Sequence, residues 1–191
     1  MNKFLYAIVI ILCMCSYSHA VQDTSNKDEN SPHTILIAYF SLSGNTKLIA
    51  QGIQQATGGD LFEIRPASAY GPDFDTTLER AREELRTRAR PELKERVPDM
   101  EKYDVVFLGF PNWVGTMPMA VFSFLEQHDF RGKTIVPFCT HGTSGISRTI
   151  EDLKALGLQA RIREHIDFYR NDVKDATEPV RNWLRKLGYL N

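Results

Sequence analysis

The stretch TILIAYFSLSGNTKLIA, residues 34–50, joins an apolar run to a helical pattern through a short polar loop. The β-branched run at 34–39 predicts a strand that is covered on both faces, as in a parallel sheet. Apolar side chains then recur at helical spacing over 46–56, and Gly58 and Gly59 predict the end of that helix. A strand followed directly by a helix is the first half of a parallel β-α unit.

The same alternation continues along the rest of the chain. Further strands are predicted at 60–64, 105–110, 134–138 and 160–166, and further helices at 118–127, 144–156 and 178–187. Alternating strands and helices with short links predict an α/β fold with a doubly wound parallel sheet.

A highly charged segment, residues 76–100, interrupts this alternation. Its pattern predicts one helix bounded by Pro91 and Pro98, with Glu84 and Arg88 one turn apart and able to form an ion pair. Two interpretations stay open: a solvated helix that covers one face of the sheet, or a docking surface for a partner.

The first 20 residues, MNKFLYAIVIILCMCSYSHA, combine an early lysine, an apolar run and small residues before Ala20. This is the pattern of a secretory signal peptide, and the apolar run is shorter than the roughly 20 residues that span a bilayer. We therefore predict a signal peptide at 1–20, export to the periplasm or another extracytoplasmic space, and no stable membrane insertion after cleavage. The polar residues 21–31 predict a disordered tether, which leaves a folded domain at 32–191.

Composition narrows the classes of partner. The 191 residues contain 23 Lys+Arg against 24 Asp+Glu, for a net charge of -1. Nucleic acids and anionic membranes bind proteins that have an excess of clustered basic residues, so neither is an expected partner. Cys139 is the one cysteine outside the predicted signal peptide, and its apolar setting predicts a buried thiol. Nothing in the pattern requires more than a monomer.

The polar loop SLSGNT, residues 41–46, lies where the first helix is predicted to begin. Free backbone NH groups and the helix dipole meet at such a point, and together they bind phosphate without lysine or arginine. Serine, asparagine and threonine are also ordinary N-cap residues, so a simple helix cap is the alternative. The chain has no G-x-G-x-x-G or G-x-x-x-x-G-K-[ST] pattern, and GTSGI at 142–146 lacks a second glycine of the G-x-S-x-G elbow. We assign no catalytic residue.

Two more unusual loops follow the third and fourth predicted strands. In PNWVGTMP, residues 111–118, Trp113 offers a flat face to a planar ring, or else packs onto its own loop. In THGTSG, residues 140–145, glycines and hydroxyls let the backbone approach a ligand closely. No nearby Cys, Asp or second His completes a metal-binding set with His141, so no metal site is predicted. The three loops thus offer a phosphate-binding helix terminus at 41–46, an aromatic surface at Trp113 and a polar backbone at 140–145. Together these suit a flat heterocycle that carries one phosphate.

At these loops the chain resembles the flavodoxin family. YFSLSGNTKLIA is similar to the family's phosphate loop, and GFPNWVGTMPMAVFSFLEQHDFRGKTIVPFCTHGTSGIS to its two flavin-flanking loops with the strand between them. The resemblance implies a flavodoxin-like three-layer sandwich of the short-chain type, with a five-stranded parallel sheet in the order 2-1-3-4-5 and one bound FMN.

The resemblance also assigns roles to residues. Phosphate binding is implied for Ser41, Ser43, Gly44, Asn45 and Thr46. Ring contact is implied for Asn112, Trp113, Gly115, Thr140, His141, Gly142 and Gly145. The position that stacks on the ring falls on Trp113 or on its neighbour Val114.

The function implied by the resemblance is electron transfer by an FMN-binding carrier, with redox protein partners that the sequence does not identify. One alternative is an FMN-dependent oxidoreductase that takes hydride from NAD(P)H and reduces quinones or nitro compounds. A second alternative is a flavin-free module that uses the same cradle to bind another phosphate-carrying ligand.

Overall fold

A parallel β-sheet forms the centre of the computed structural model, which describes residues 33–71 and 73–191. Its strands are β1 (Ile35–Tyr39), β2 (Asp60–Glu63), β3 (Val105–Pro111), β4 (Thr134–His141), β5 (Arg161–Ile162) and β6 (Ile166–Tyr169). They lie in the order β2-β1-β3-β4-β5, with β6 also beside β4, and every pair is parallel. The predicted order 2-1-3-4-5 is confirmed. The predicted signal peptide and tether lie outside the described residues.

Helices cover both faces of this sheet. They are α1 (Asn45–Thr57), α2 (Phe74–Thr87), α3 (Met119–Gln127), α4 (Thr149–Ala155) and α5 (Thr177–Leu187). Successive residues of β1 face opposite sides, so Leu36 belongs to the core under α3 and α4, and Ile37 to the core under α1 and α5. The result is a three-layer α/β/α sandwich. Within residues 33–71 and 73–191, no helix is both long and apolar enough to cross a membrane.

The fifth strand position is divided into β5 and β6, although the sequence predicts one strand at 160–166. In a parallel strand, alternate residues hydrogen-bond to the same neighbouring strand. In β4, the carbonyls of Ile135 and His141 both accept hydrogen bonds from the side on which β5 and β6 lie. Pro137 faces the same side but has no NH to donate. The ladder therefore breaks there, with Val136 and Pro137 opposite residues 163–165.

The charged segment is not one helix over 76–100. The helix α2 ends at Thr87, because Arg88 takes a left-handed conformation with φ 51° and Pro91 follows. The residues that follow form no further turn of this helix, and Leu93 pairs with Pro66 in an antiparallel bridge.

Two smaller predictions also differ from the structure. Glu84 pairs with Arg80 rather than Arg88, at 2.7 Å. The helix predicted at 144–156 begins only at Thr149, because Gly145 and Ser147 have positive φ and form a loop.

Replacing Gly109 by Ala should destabilise the sheet. Gly109 of β3 pairs with Phe138 of β4, and an added Cβ would overlap the fully buried Phe138 ring. We expect the free energy of unfolding to fall by about 1–3 kcal/mol, the usual cost of overpacking a core. Urea denaturation followed by circular dichroism measures it.

The matched control is Gly52→Ala in α1, where an added Cβ meets no atom within 4 Å. Alanine restricts the unfolded chain and suits a helix, so this variant should gain about 0.4–1 kcal/mol. Equal losses in the two variants would contradict the packing argument.

Candidate functional site

A cleft of about 690 Å³ opens at the carboxyl ends of β1, β3 and β4. The loops after these strands meet here because parallel strands all end at the same edge of the sheet. The first turns of α2 and the side chain of Arg170 complete the wall. All three loops that the sequence analysis singled out therefore contribute to one site.

The first loop presents the amino end of α1 to the cleft. The N-cap residue is Gly44, with φ 90° and no capping side chain, and the Lys47 NH donates to Ser41 Oγ at 3.3 Å. The NH groups of Asn45 and Thr46 have no acceptor within the helix, because first-turn amides never do. Ser41 thus provides a serine cap for Lys47, and within residues 33–71 and 73–191 the amides of Asn45 and Thr46 have no acceptor.

A buried contact between two hydroxyl groups joins the first loop to the third. Thr46 Oγ1 lies 2.9 Å from Thr140 Oγ1, and both residues are almost fully buried. This bond crosses above β3 and holds the start of α1 against the end of β4.

Asn112 connects the second loop to the third. Its side-chain amide donates to the Gly145 carbonyl at 2.6 Å and to Ser147 Oγ at 2.9 Å. Its carbonyl oxygen accepts from the Gly115 NH at 3.1 Å. One side chain thus sets the separation of two loops, so its main role in this structure is to shape the cleft.

The second loop ends in a tight turn with an unusual residue at its tip. Trp113 and Thr116 exchange backbone hydrogen bonds of 2.8 and 3.1 Å, with Val114 and Gly115 between them at φ 54° and 83°. Two positive φ angles define a type I′ turn, in which a β-branched residue is strained by roughly 1–3 kcal/mol. Val114 is nevertheless 39% exposed, and it lines the cleft.

Trp113 packs into an aromatic cluster rather than onto its own loop. Its ring meets those of Phe40 and Tyr70 edge to face, with centroids 5.2 and 4.9 Å away. Tyr70 in turn donates to Glu84 at 2.8 Å, and burial, reinforced by the Glu84 charge, raises the pKa of its phenol. The indole that lines the cleft is therefore supported by a network reaching into α2.

His141 has a partner that its sequence neighbours do not supply. Its Nε2 lies 2.9 Å from Asp167 Oδ2, and the other carboxylate oxygen lies 3.7 Å from His165 Nε2. The remaining ring nitrogen, Nδ1, is buried and has no hydrogen-bond partner in the described structure. The sequence alone did not indicate Asp167, because it lies on β6. Only the parallel pairing of Cys139 in β4 with Asp167 in β6 brings it beside His141.

The predicted site residues divide into two groups. Those that line the cleft are Ser43, Asn45, Thr46, Asn112, Trp113, Thr140, His141 and Gly142. Ser41, Gly44, Gly115 and Gly145 lie in the same loops without lining it, and the three glycines provide turns at positive φ. The structure thus brings the predicted loops together, and the roles of their residues toward a ligand stay predictions.

The sequence analysis missed the wall that α2 supplies. Asp73 caps this helix by accepting from the Thr76 NH at 2.8 Å, and the next residue, Phe74, is 74% exposed at the cleft. An aspartate directly ahead of an amphipathic run was the available signal for the helix start. Its position beside the cleft was not readable, because that depends on how α2 packs.

Three further features lie outside the cleft loops: a buried thiol, the distribution of metal-binding side chains and a second cleft. Cys139 is buried as predicted, and burial raises the pKa of its thiol. Among residues 33–71 and 73–191, no three His, Cys, Asp or Glu side chains are grouped to hold a metal ion. A second cleft, of about 730 Å³, lies at the amino ends of β3 and β4, where Asp129 and Arg131 form an ion pair.

Solved structures resemble this chain over nearly the whole described region. A protein described as a candidate flavoprotein from Bacteroides eggerthii DSM 20697 is 32% identical, with a TM-score of 0.73, over 82% of this chain and 98% of that one. A similar protein from Bacteroides uniformis ATCC 8492 is 29% identical, with a TM-score of 0.72, over 81% and 99%. A Lactobacillus acidophilus NCFM flavoprotein, solved in complex with FMN, is 20% identical, with a TM-score of 0.63, over 76% and 99%.

Comparison with curated proteins finds no match. A family model described as Flavodoxin, however, matches residues 34–187, which include all six strands and the three loops of the cleft. Together with the confirmed strand order and the position of the cleft, this match means that the chain belongs to the flavodoxin family.

Proposed function

We propose that the cleft binds FMN and that the protein carries electrons between redox partners. The observation that supports this most is that the amino end of α1, with free NH groups, opens into the same cleft as an aromatic wall and a glycine-rich polar loop. FMN combines a phosphate with a flat heterocycle, and each part has a matching surface here. The related flavoprotein solved with FMN supports the same choice of cofactor.

Features of the cleft itself fit the cofactor. Gly44 leaves the approach to the helix terminus open, since an added Cβ there would meet no atom within 4 Å. The buried and unpartnered Nδ1 of His141 would gain a partner from a ligand with a polar ring edge. An unsatisfied buried group costs roughly 1–3 kcal/mol, so such a ligand would relieve that cost.

Bound FMN supplies the redox chemistry, and the chain holds and surrounds it. In this proposal Ser43 and the amides of Asn45 and Thr46 bind the phosphate, while Trp113 and Val114 contact the ring. The loops need little rearrangement to do so, because Asn112 and the Thr46–Thr140 contact already hold them in position.

Electron transfer is favoured over turnover with NAD(P)H because the chain lacks the nucleotide-binding patterns described above. The predicted signal peptide at 1–20 supports export, and the donor and acceptor would then be extracytoplasmic redox proteins. Steady-state oxidation of NADH or NADPH by the FMN-loaded protein, with a quinone or nitro compound as acceptor, would favour the reductase instead.

The direct test is titration of the full-length chain with FMN and with riboflavin, with binding measured as quenching of flavin fluorescence. We expect FMN to bind much more tightly, because riboflavin lacks the phosphate. Failure of the folded protein to bind FMN would overturn the proposal and favour a flavin-free module.

Ser43→Asp should weaken FMN binding at least about tenfold and leave riboflavin binding unchanged. Like charges about 4 Å apart repel by roughly 1–4 kcal/mol near a protein surface, and only FMN carries the phosphate charge. The matched control is Gln55→Asp, which adds the same charge to the exposed end of α1, about 15 Å away. An equal loss for both ligands would place the phosphate elsewhere.

Val114→Gly should stabilise the ligand-free protein and weaken FMN binding. Glycine relieves the strain of φ 54°, so we expect a gain of about 1 kcal/mol in urea denaturation. Loss of the apolar side chain from the cleft should weaken FMN binding by about tenfold. Gln159→Gly is the control, since Gln159 has the same φ of 54° but does not line the cleft. If FMN binds Val114→Gly as tightly as wild type, Val114 does not contact the ring.

A further inference from the structure

The pair formed by His141 and Asp167 has features that binding of FMN does not by itself require. His141 lines the cleft, its side chain is only 12% exposed, and Nε2 lies 2.9 Å from Asp167 Oδ2. An ionised carboxylate only accepts hydrogen bonds, so Nε2 carries a proton and donates a hydrogen bond to Asp167. The neutral ring then has its lone pair on Nδ1, which is buried and unpartnered.

This arrangement prepares the ring to take up a second proton. Protonation at Nδ1 would turn a bare acceptor into a donor. The resulting positive charge would be held next to the Asp167 carboxylate, which already accepts from the opposite nitrogen. A base whose other nitrogen is oriented by a carboxylate is a common arrangement for proton transfer.

The charged and titratable groups around His141 come mainly from β6 and its flanks. The centroid of the Tyr169 ring lies 6.3 Å from that of the His141 ring, and His165 contacts Asp167 rather than His141. Arg170 and Asp73 line the same cleft, and burial raises the pKa of the Cys139 thiol. The cleft residues from α1 and from the loop after β3 carry no titratable side chain. Asp167 is therefore the charged group in direct contact with the ring.

Resting on the proposed binding of FMN, we infer that His141 is a redox-linked proton acceptor whose ring Asp167 orients. Bound FMN, if reduced by two electrons with uptake of one proton, would carry one negative charge. His141 would then take a second proton from solvent on Nδ1, so that two electrons and two protons would enter and the net charge of the site would be unchanged. The electrons come from the redox partner or, in an experiment, from dithionite or an electrode.

The test is the pH dependence of the two-electron midpoint potential of the FMN-loaded full-length protein, measured by spectroelectrochemistry. A tenfold change in proton concentration changes the reduction equilibrium tenfold for each proton taken up, which is about 30 mV for a two-electron couple. We expect the wild-type potential to fall by about 30 mV per pH unit more than that of His141→Gln, near neutral pH.

Two further variants separate the roles of the pair. Asp167→Asn keeps the shape of the side chain but removes its charge, so it should lose most of the extra slope while still binding FMN. His165→Gln is the matched control, because His165 also approaches Asp167 but does not line the cleft, and it should keep the wild-type slope.

A direct readout requires no variant. The ¹⁵N shifts of the His141 ring should show Nδ1 unprotonated with oxidised FMN and protonated after reduction with dithionite. An Nδ1 that stays unprotonated, or equal slopes in wild type and His141→Gln, would overturn this inference and leave FMN binding intact. Failure of the folded protein to bind FMN would overturn both.

Discussion

The parallel hydrogen-bonded ladder of β1, β3 and β4 is the constraint on which the rest of the structure depends. Its register ends all three strands at one edge, so the loops that follow them converge there. The ladder also requires close packing between strands, with Gly109 leaving space for the Phe138 ring. Without this alignment the polar loops would be separate surface turns, and no cleft would form.

The loops are held to one another before any ligand binds. The buried contact between Thr46 and Thr140 joins the first and third loops, and Asn112 joins the second and third. On the opposite wall, Tyr70 and Glu84 anchor the aromatic cluster that contains Trp113. Residues that look like ligand contacts in the sequence therefore also stabilise the site, and pre-organisation of this kind lowers the cost of binding.

Much of the fold could be predicted because its signals are local. Apolar runs marked β1, β3 and β4, and the polar loops after them were recognisable from their glycines and hydroxyls. One error lies where a distant partner decides the outcome, since the split between β5 and β6 depends on Pro137 of the neighbouring strand. The early end of α2 is instead a local backbone effect, the left-handed conformation of Arg88.

The amino-acid sequence by itself determined the α/β class, the strand order implied by its family and the three loops that form the cleft. These follow from hydrophobic periodicity and turn chemistry, which act over a few residues. Only the tertiary structure decided that Asp167 orients His141, that α2 closes the cleft and that Trp113 packs against Tyr70. Each of these contacts joins side chains from separate elements, so it depends on strand register and helix packing rather than on any local pattern.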